Sequence, residues 1–159
     1  MENPHQLADR FREVLLDGTW IANTNFRDQL STTSWQEAIQ QVGTLNTIAA
    51  LTFHVNYYVA GILHVFEGGG LEIRDKYSFD CPGIRSEDDW ENLVQDLLAH
   101  AEKFADQVAR MSAEKLGSVF IDEKYGTYRR NIEGMIEHSY YHLGQISLLK
   151  KMIRASQQA

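Results

Sequence analysis

Apolar residues recur every three to four positions along most of the chain, and no two segments alternate apolar and polar residues as paired strands do. This spacing places the apolar side chains on one face of a helix. It predicts four long helices with the approximate bounds 4–16, 44–66, 86–111 and 127–153. Because four amphipathic helices bury their apolar stripes most simply against each other, the predicted fold is all-α, a four-helix bundle with long connections.

Capping residues support the predicted helix ends. Ser34 followed by Glu37 is a capping-box pattern, and it opens a further short helix near Trp35 to Val42. Ser86 with Asp89 resembles another N-cap, at the start of the third long helix. Three glycines, residues 68–70, end the second long helix.

Three stretches lack a helical period and are predicted to be connections. Residues 20–30 are interpreted as an extended or looping segment, and residues 112–126 as irregular. Residues 71–85 are long for a loop in a compact domain, so we expect a crossover or a lid over a binding site. The whole chain, residues 1–159, is expected to form one domain with a frayed end at 153–159.

Composition narrows the class of protein. The formal net charge is −7, and the 15 Lys and Arg residues are spread along the chain, so we expect no nucleic-acid partner. No apolar run approaches the roughly 18 residues of a membrane span, and no signal peptide is recognised, so no membrane partner is expected. The single cysteine, Cys81, cannot form an internal disulfide, and a cytoplasmic location is predicted.

Histidines carry the candidate chemistry. His138 and His142 are four residues apart, so both rings point to the same side of the last helix. The zincin motif uses this spacing to bind a metal, although Ser139 stands here where a zincin has its general-base glutamate. Such a pair is also common on surface helices, but this one lies beside the apolar stripe, and His54 lies on the inward side of its own helix. Since a buried imidazole needs partners for both ring nitrogens, the three rings predict one metal site in the bundle.

Other candidate ligands do not fit the same site. His64 lies about 280° around the helix from His54, and neither His100 nor His5 has a local partner pattern. These three are interpreted as surface or packing residues. Cys81 is either a soft fourth ligand or, before Pro82, a structural residue.

The segment YGTYRRNIEGMIEHSYYHLGQISLL resembles the last helix of the DinB/YfiT-like superfamily of metalloenzymes. Those proteins have one His on their second helix, which His54 matches, and a His-x-x-x-His pair followed by Gly-Gln-Ile, which residues 138–146 match. The resemblance implies a DinB/YfiT-like four-helix bundle, a three-histidine metal site and often a homodimer. It also implies an S-transferase or isomerase activity that uses low-molecular-weight thiols such as bacillithiol or mycothiol.

Three neutral histidines leave a divalent ion with an open position, which favours catalysis over a structural role. We expect Zn or Ni, with Fe, Cu or Co as alternatives. The predicted function is metal-dependent thiol transfer, isomerisation or hydrolysis on a small-molecule substrate. The alternatives are a non-catalytic metal- or ligand-binding protein of a stress response and a purely structural, dimerising bundle.

Candidate catalytic groups near the metal are Gln145, Tyr58 and Tyr141, for each of which ordinary packing is the alternative. Arg129 and Arg130 either receive a substrate carboxylate or are solvated charges.

Overall fold

The chain is all-helical over residues 2–158, which the computed structural model describes. A π-helical turn, Glu13–Asp17, continues the first helix, and 3-10 turns occur at Asp75–Tyr77 and Glu123–Tyr125. The α-helices of this range are α1 Pro4–Arg12, α2 Phe26–Ser31, α3 Trp35–Ile39, α4 Ile48–Phe66, α5 Glu87–Arg110, α6 Ala113–Gly117 and α7 Tyr128–Gln157.

Side-chain caps fix where the helices begin. The Ser34 hydroxyl accepts a hydrogen bond from the Glu37 backbone amide, and the Glu37 carboxylate accepts one from the Ser34 backbone amide. These two bonds confirm the predicted capping box of α3. Ser86 caps α5 as predicted, through the Asp89 amide. Helix α4 ends at Phe66, and the following Gly68 has a positive φ of 96°, the left-handed conformation that glycine adopts without strain.

Four helical segments enclose the core. Helix α4 packs against α5 and α7, and α1 packs against the other sides of α5 and α7. The stacked rings of Phe11 and Phe104, 4.2 Å apart, join α1 to α5. Burying each large apolar side chain of this core contributes about 1.5–3 kcal/mol before the loss of chain entropy. The predicted long amphipathic helices are therefore present, and they bury their stripes against each other.

Helix α4 passes one test for a membrane span. An 18-residue window of this 19-residue helix has a mean hydropathy of 1.3, which by length and composition alone is enough to cross a membrane, and 56% of that window is buried inside the protein. The helix is not an uninterrupted apolar run, because His54, Asn56 and His64 lie within it. Contacts with α5 on one side and α7 on the other explain the composition, since a helix buried on two sides needs more than one apolar stripe.

Two predicted connections contain helices. Residues 26–31, assigned to a looping segment, form α2, with Phe26 and Leu30 buried and the Asn25 side chain accepting the Asp28 amide. Residues 112–126, predicted to be irregular, contain α6 and a 3-10 turn. Helix α7 extends past the predicted end at Ile153 to Gln157, and Ala159 lies outside the described residues. Each of these two short helices is stabilised by a side-chain cap and by one or two buried apolar side chains. Neither helix is long enough to show the repeated apolar spacing by which the long helices were predicted.

The Lys150 side chain of α7 caps the C-terminal end of helix α2. It is 5% exposed, and Nζ donates to the Gln29 carbonyl and the Thr32 hydroxyl, both at 2.6 Å. Replacing Lys150 with methionine removes the ammonium group that donates both hydrogen bonds. We expect the free energy of unfolding to fall by about 1–2 kcal/mol in urea titrations. The exposed neighbour Lys151 provides the matched control, because Lys151→Met is expected to leave the urea midpoint unchanged; equal midpoints for both variants would disprove the capping role.

Candidate metal centre

Helices α4 and α7 bring three histidines together, as the sequence predicts. His138 and His142 lie one turn apart on α7, and His54 faces them from α4. The Nε2 atom of His138 is 3.1 Å from Nε2 of His54 and 2.7 Å from Nε2 of His142. The candidate ligand atoms of the three side chains all lie within 4.8 Å of one another. His54 is 7% exposed and His142 is 5% exposed, so this convergence is largely shielded from water.

The outer nitrogens of two rings have fixed partners. Nδ1 of His54 lies 3.2 Å from the carbonyl oxygen of Ser78, and Nδ1 of His142 lies 2.7 Å from Oε1 of Gln145. Because both partners are acceptors, each Nδ1 carries the proton of a neutral ring. Each Nε2 therefore presents a lone pair to the centre, which is the tautomer that metal-binding histidines need.

Hydrogen bonding among the histidines cannot satisfy these lone pairs. His138 Nε2 touches Nε2 of both other rings, yet it carries at most one proton and can donate to only one of them. At least one contact thus sets two lone pairs against each other, which is unfavourable without a cation. Nitrogens bound to one tetrahedral Zn²⁺ at about 2.0–2.1 Å are about 3.3 Å apart, close to the observed separations. The donor set therefore fits a divalent ion.

All three rings are held neutral. Burial, together with the like charges of the neighbouring His142 and His54, lowers the pKa of His138 to about 4. Burial is also the main cause of the lowered pKa of His54 and of His142. Neutral imidazole is the form that binds metals, so the cluster is ready for an ion at neutral pH.

The connection before α5 forms one wall of the site. The Phe79 ring stacks on His54 with centroids 4.0 Å apart and an angle of 11° between the planes. Together with the Ser78 carbonyl, it orients His54 and covers it from solvent. Sequence patterns did not single out Ser78, Phe79 or Asp75; the unusual length of this connection was the signal that pointed to it.

The three predicted catalytic residues lie around the histidines in different ways. Gln145 holds His142, and the exposed Tyr141 ring lies edge-on to His142 at 4.9 Å. The Tyr58 ring lies edge-on to His54 and His138, at 5.1 Å and 5.3 Å. Its hydroxyl donates to Asp75 at 2.7 Å, and burial together with this carboxylate raises the pKa of Tyr58 to about 12. Tyr58 therefore remains protonated at neutral pH.

The remaining candidates lie outside the cluster. His5 and His64 are exposed, and His100 Nδ1 pairs with Asn56 Oδ1 at 2.8 Å. The Cys81 thiol points to the carbonyl of Ala49 and does not belong to the histidine cluster. Of the two interpretations of Cys81, the structure therefore favours a packing residue over a fourth metal ligand. Burial also raises the pKa of the Cys81 thiol, which disfavours the thiolate that a metal would need.

Neither arginine near the start of α7 is free to receive a substrate. Arg129 donates to the Glu2 carbonyl at 2.7 Å and lies 3.8 Å from the Glu133 carboxylate. Arg130 pairs with Glu137 at 3.2 Å. Arg130 is therefore a surface charge, whereas Arg129, with 18% of its side chain exposed, is held in a protein contact.

Gln145 provides a test of the outer contacts. Gln145→Leu removes the acceptor that fixes the His142 tautomer, and we expect the affinity for Zn²⁺ to fall by about 10–100-fold. A competition titration against a chromophoric chelator measures this change. Gln145→Glu keeps an acceptor at the same position and should stay close to the wild-type affinity. If leucine and glutamate behaved alike, the contact with His142 would have no role in binding.

Neither the protein-family models nor the curated proteins nor the solved structures that were compared with this chain give a match. The functional conclusion therefore depends on the geometry of the histidine cluster and on the chemistry of the residues around it.

Proposed function

We propose that this protein is a metal-dependent enzyme that binds one divalent ion through His54, His138 and His142 and acts on small molecules. The observation that carries the proposal is the convergence of three neutral Nε2 atoms at separations of 2.7 and 3.1 Å. Structural zinc sites usually use four protein ligands, whereas catalytic sites use three and leave a position open. Within residues 2–158, the group of candidate ligands at this point consists of the three histidines.

Nitrogen donors determine which ions are suitable. Imidazole binds Zn, Ni, Fe, Cu and Co, and we propose Zn or Ni for this site. A divalent ion with an open position would lower the pKa of a water or thiol bound at that position.

The residues of the chain supply orientation and shielding. Ser78 and Gln145 hold two of the rings in the metal-binding tautomer. Phe79 covers His54, and the protonated Tyr58 fixes Asp75 beside the histidines. A reacting group at the centre is thus partly protected from water on the side of the Ser78–Phe79 connection, which strengthens electrostatic interactions there.

The resemblance of the α7 segment to DinB/YfiT-like proteins supports a more specific proposal. We propose that the chain is that type of four-helix bundle and that its reaction is thiol transfer, or a related isomerisation or hydrolysis. A thiolate is the reactive form of a thiol, so a site that removes the thiol proton makes sulfur transfer possible at neutral pH. The predicted homodimer, cytoplasmic location, stress-response role and lack of nucleic-acid or membrane partners stay predictions.

Turnover by the metal-loaded protein tests this function. Protein purified without an affinity tag is loaded with Zn²⁺ or Ni²⁺ and assayed with bacillithiol, cysteine and other small thiols against epoxides and activated aryl halides. We expect a rate that requires both thiol and metal, that is lost in His142→Ala and that is kept in His64→Ala. Full metal loading without a rate for any thiol, electrophile or hydrolysable ester would contradict the enzymatic proposal and favour a binding protein.

A further inference from the structure

A cavity lies along α4 and α7, the same two helices that carry the three histidines. This cavity, of about 410 Å³, is lined by Tyr58 and Ile62 of α4 and by Asn131 of α7. On α4, His54, Tyr58 and Ile62 are spaced four residues apart and form one row. On α7, Asn131 and His138 are seven residues apart, two turns along one face. The cavity and the histidine cluster are therefore end to end, with the Tyr58 ring between them.

A glycine lies on the α7 face between the cavity and the histidines. Gly134 lies three residues after Asn131 and four before His138 on the same face, and a Cβ at this position would meet no heavy atom within 4 Å. Packing therefore does not require glycine here, and a larger side chain at this position has room to extend over the face between the cavity and the histidines.

The walls of the cavity indicate what it binds. Leu71 and Phe120 add apolar surface to that of Ile62, while Arg74 adds a cation at the rim. Within residues 2–158 the Arg74 guanidinium has neither an ion pair nor a hydrogen bond, whereas Arg129 and Arg130 are both engaged by protein groups. The Asp75 carboxylate also lines the cavity, where one of its oxygens accepts the Tyr58 hydroxyl and its charge lies on the side of the histidines. A free guanidinium beside an apolar wall suits a ligand with a carboxylate or similar planar anion on an apolar body.

We propose that this cavity binds the substrate of the metal site, and that the substrate is a small organic anion whose charged group pairs with Arg74 while its apolar body lies against Ile62, Leu71 and Phe120. The role as substrate site rests on the proposed metal-dependent function, but binding of an anion in the cavity does not. The volume is within the range of small-molecule sites, about 300–1,000 Å³.

Binding is tested with 3-phenylpropionate and its neutral analogue 3-phenyl-1-propanol on metal-free protein. Titrations followed by nuclear magnetic resonance should shift the Asn131 amide and the Tyr58 ring, with the carboxylate bound about tenfold or more tightly than the alcohol. Arg74→Gln should abolish this preference, and Arg85→Gln, at an exposed arginine outside the cavity, should keep it. Equal binding of the two probes to wild type, or shifts that map elsewhere, would overturn the assignment of the cavity.

Proximity to the metal is tested with Co²⁺-loaded protein, in which bound cobalt is first detected by its own absorption. Cobalt should broaden the resonances of bound 3-phenylpropionate, and Gly134→Leu should reduce this broadening severalfold while Gly134→Ala leaves it in place. Probe binding with sharp resonances would mean that the cavity is not the substrate site. Absence of cobalt absorption would instead refute the proposed function, which separates the two failures.

Discussion

Replacing His142 with alanine is expected to weaken Zn²⁺ binding by more than about a hundredfold. A structural zinc site of four ligands supplies about 10–16 kcal/mol, so the loss of one ligand removes about 3 kcal/mol or more. His142 is also the ring whose tautomer is fixed through Gln145, and its Nε2 lies 2.7 Å from His138. Competition with a chelator of known affinity measures the change, and the stabilisation of the fold by metal should fall with it.

Matched histidine variants make this result specific. His64→Ala removes an exposed imidazole from the same helix as His54, and it is expected to bind Zn²⁺ like the wild type. His54→Ala should resemble His142→Ala, because each removes one of the three converging nitrogens. Equal affinities of the wild type and His142→Ala would show that the ion binds elsewhere.

Acid is expected to destabilise the metal-free protein between about pH 6.5 and pH 4. An unfolded histidine has a pKa of about 6.5, whereas burial and the neighbouring histidines lower the folded pKa of His138 to about 4, and burial also lowers those of His54 and His142. In this window the unfolded chain binds more protons than the folded chain, so stability that is complete above pH 6.5 is lost as the pH falls. For His138 alone, allowing for its partial exposure, the loss is on the order of 2–3 kcal/mol, and His54 and His142 add to it in the same direction.

Urea unfolding in the presence of a chelator, from pH 7.5 to pH 5, measures this dependence above the range where most carboxylates titrate. His138→Gln should flatten the slope, because glutamine fills similar space without taking a proton. His64→Gln should keep the wild-type slope. An identical slope in the wild type and His138→Gln would contradict the burial of a neutral cluster.

Local signals made most of the fold predictable. The long helices have a clear apolar period, and the caps at Ser34 and Ser86 and the stop at Gly68 act within a few residues. The short helix α2 was missed because six residues are too few for a period, and its stability comes from burying Phe26 and Leu30 against distant parts of the chain. Such tertiary burial has no local sequence pattern.

In the candidate metal site, too, the residues with a local sequence pattern were predicted and those placed by long-range contacts were not. The four-residue spacing of His138 and His142 and the inward position of His54 were enough to predict that three rings meet. The Ser78 contact with His54 joins a backbone carbonyl to a side chain 24 residues away, and every residue type offers such a carbonyl. The stacking of Phe79 and the pairing of Asp75 with Tyr58 likewise depend on the path of the 71–85 connection, which no periodic pattern describes.

X-ray absorption at the zinc edge of the stoichiometrically loaded protein tests the central claim most directly. Three imidazole nitrogens at about 2.0–2.1 Å and at least one oxygen of solvent are expected, with one ion per chain. The same spectrum of His142→Ala should lose the three-imidazole signature. A sulfur ligand, fewer than three imidazoles, or a chain that retains no zinc after gel filtration would contradict a three-histidine metal centre.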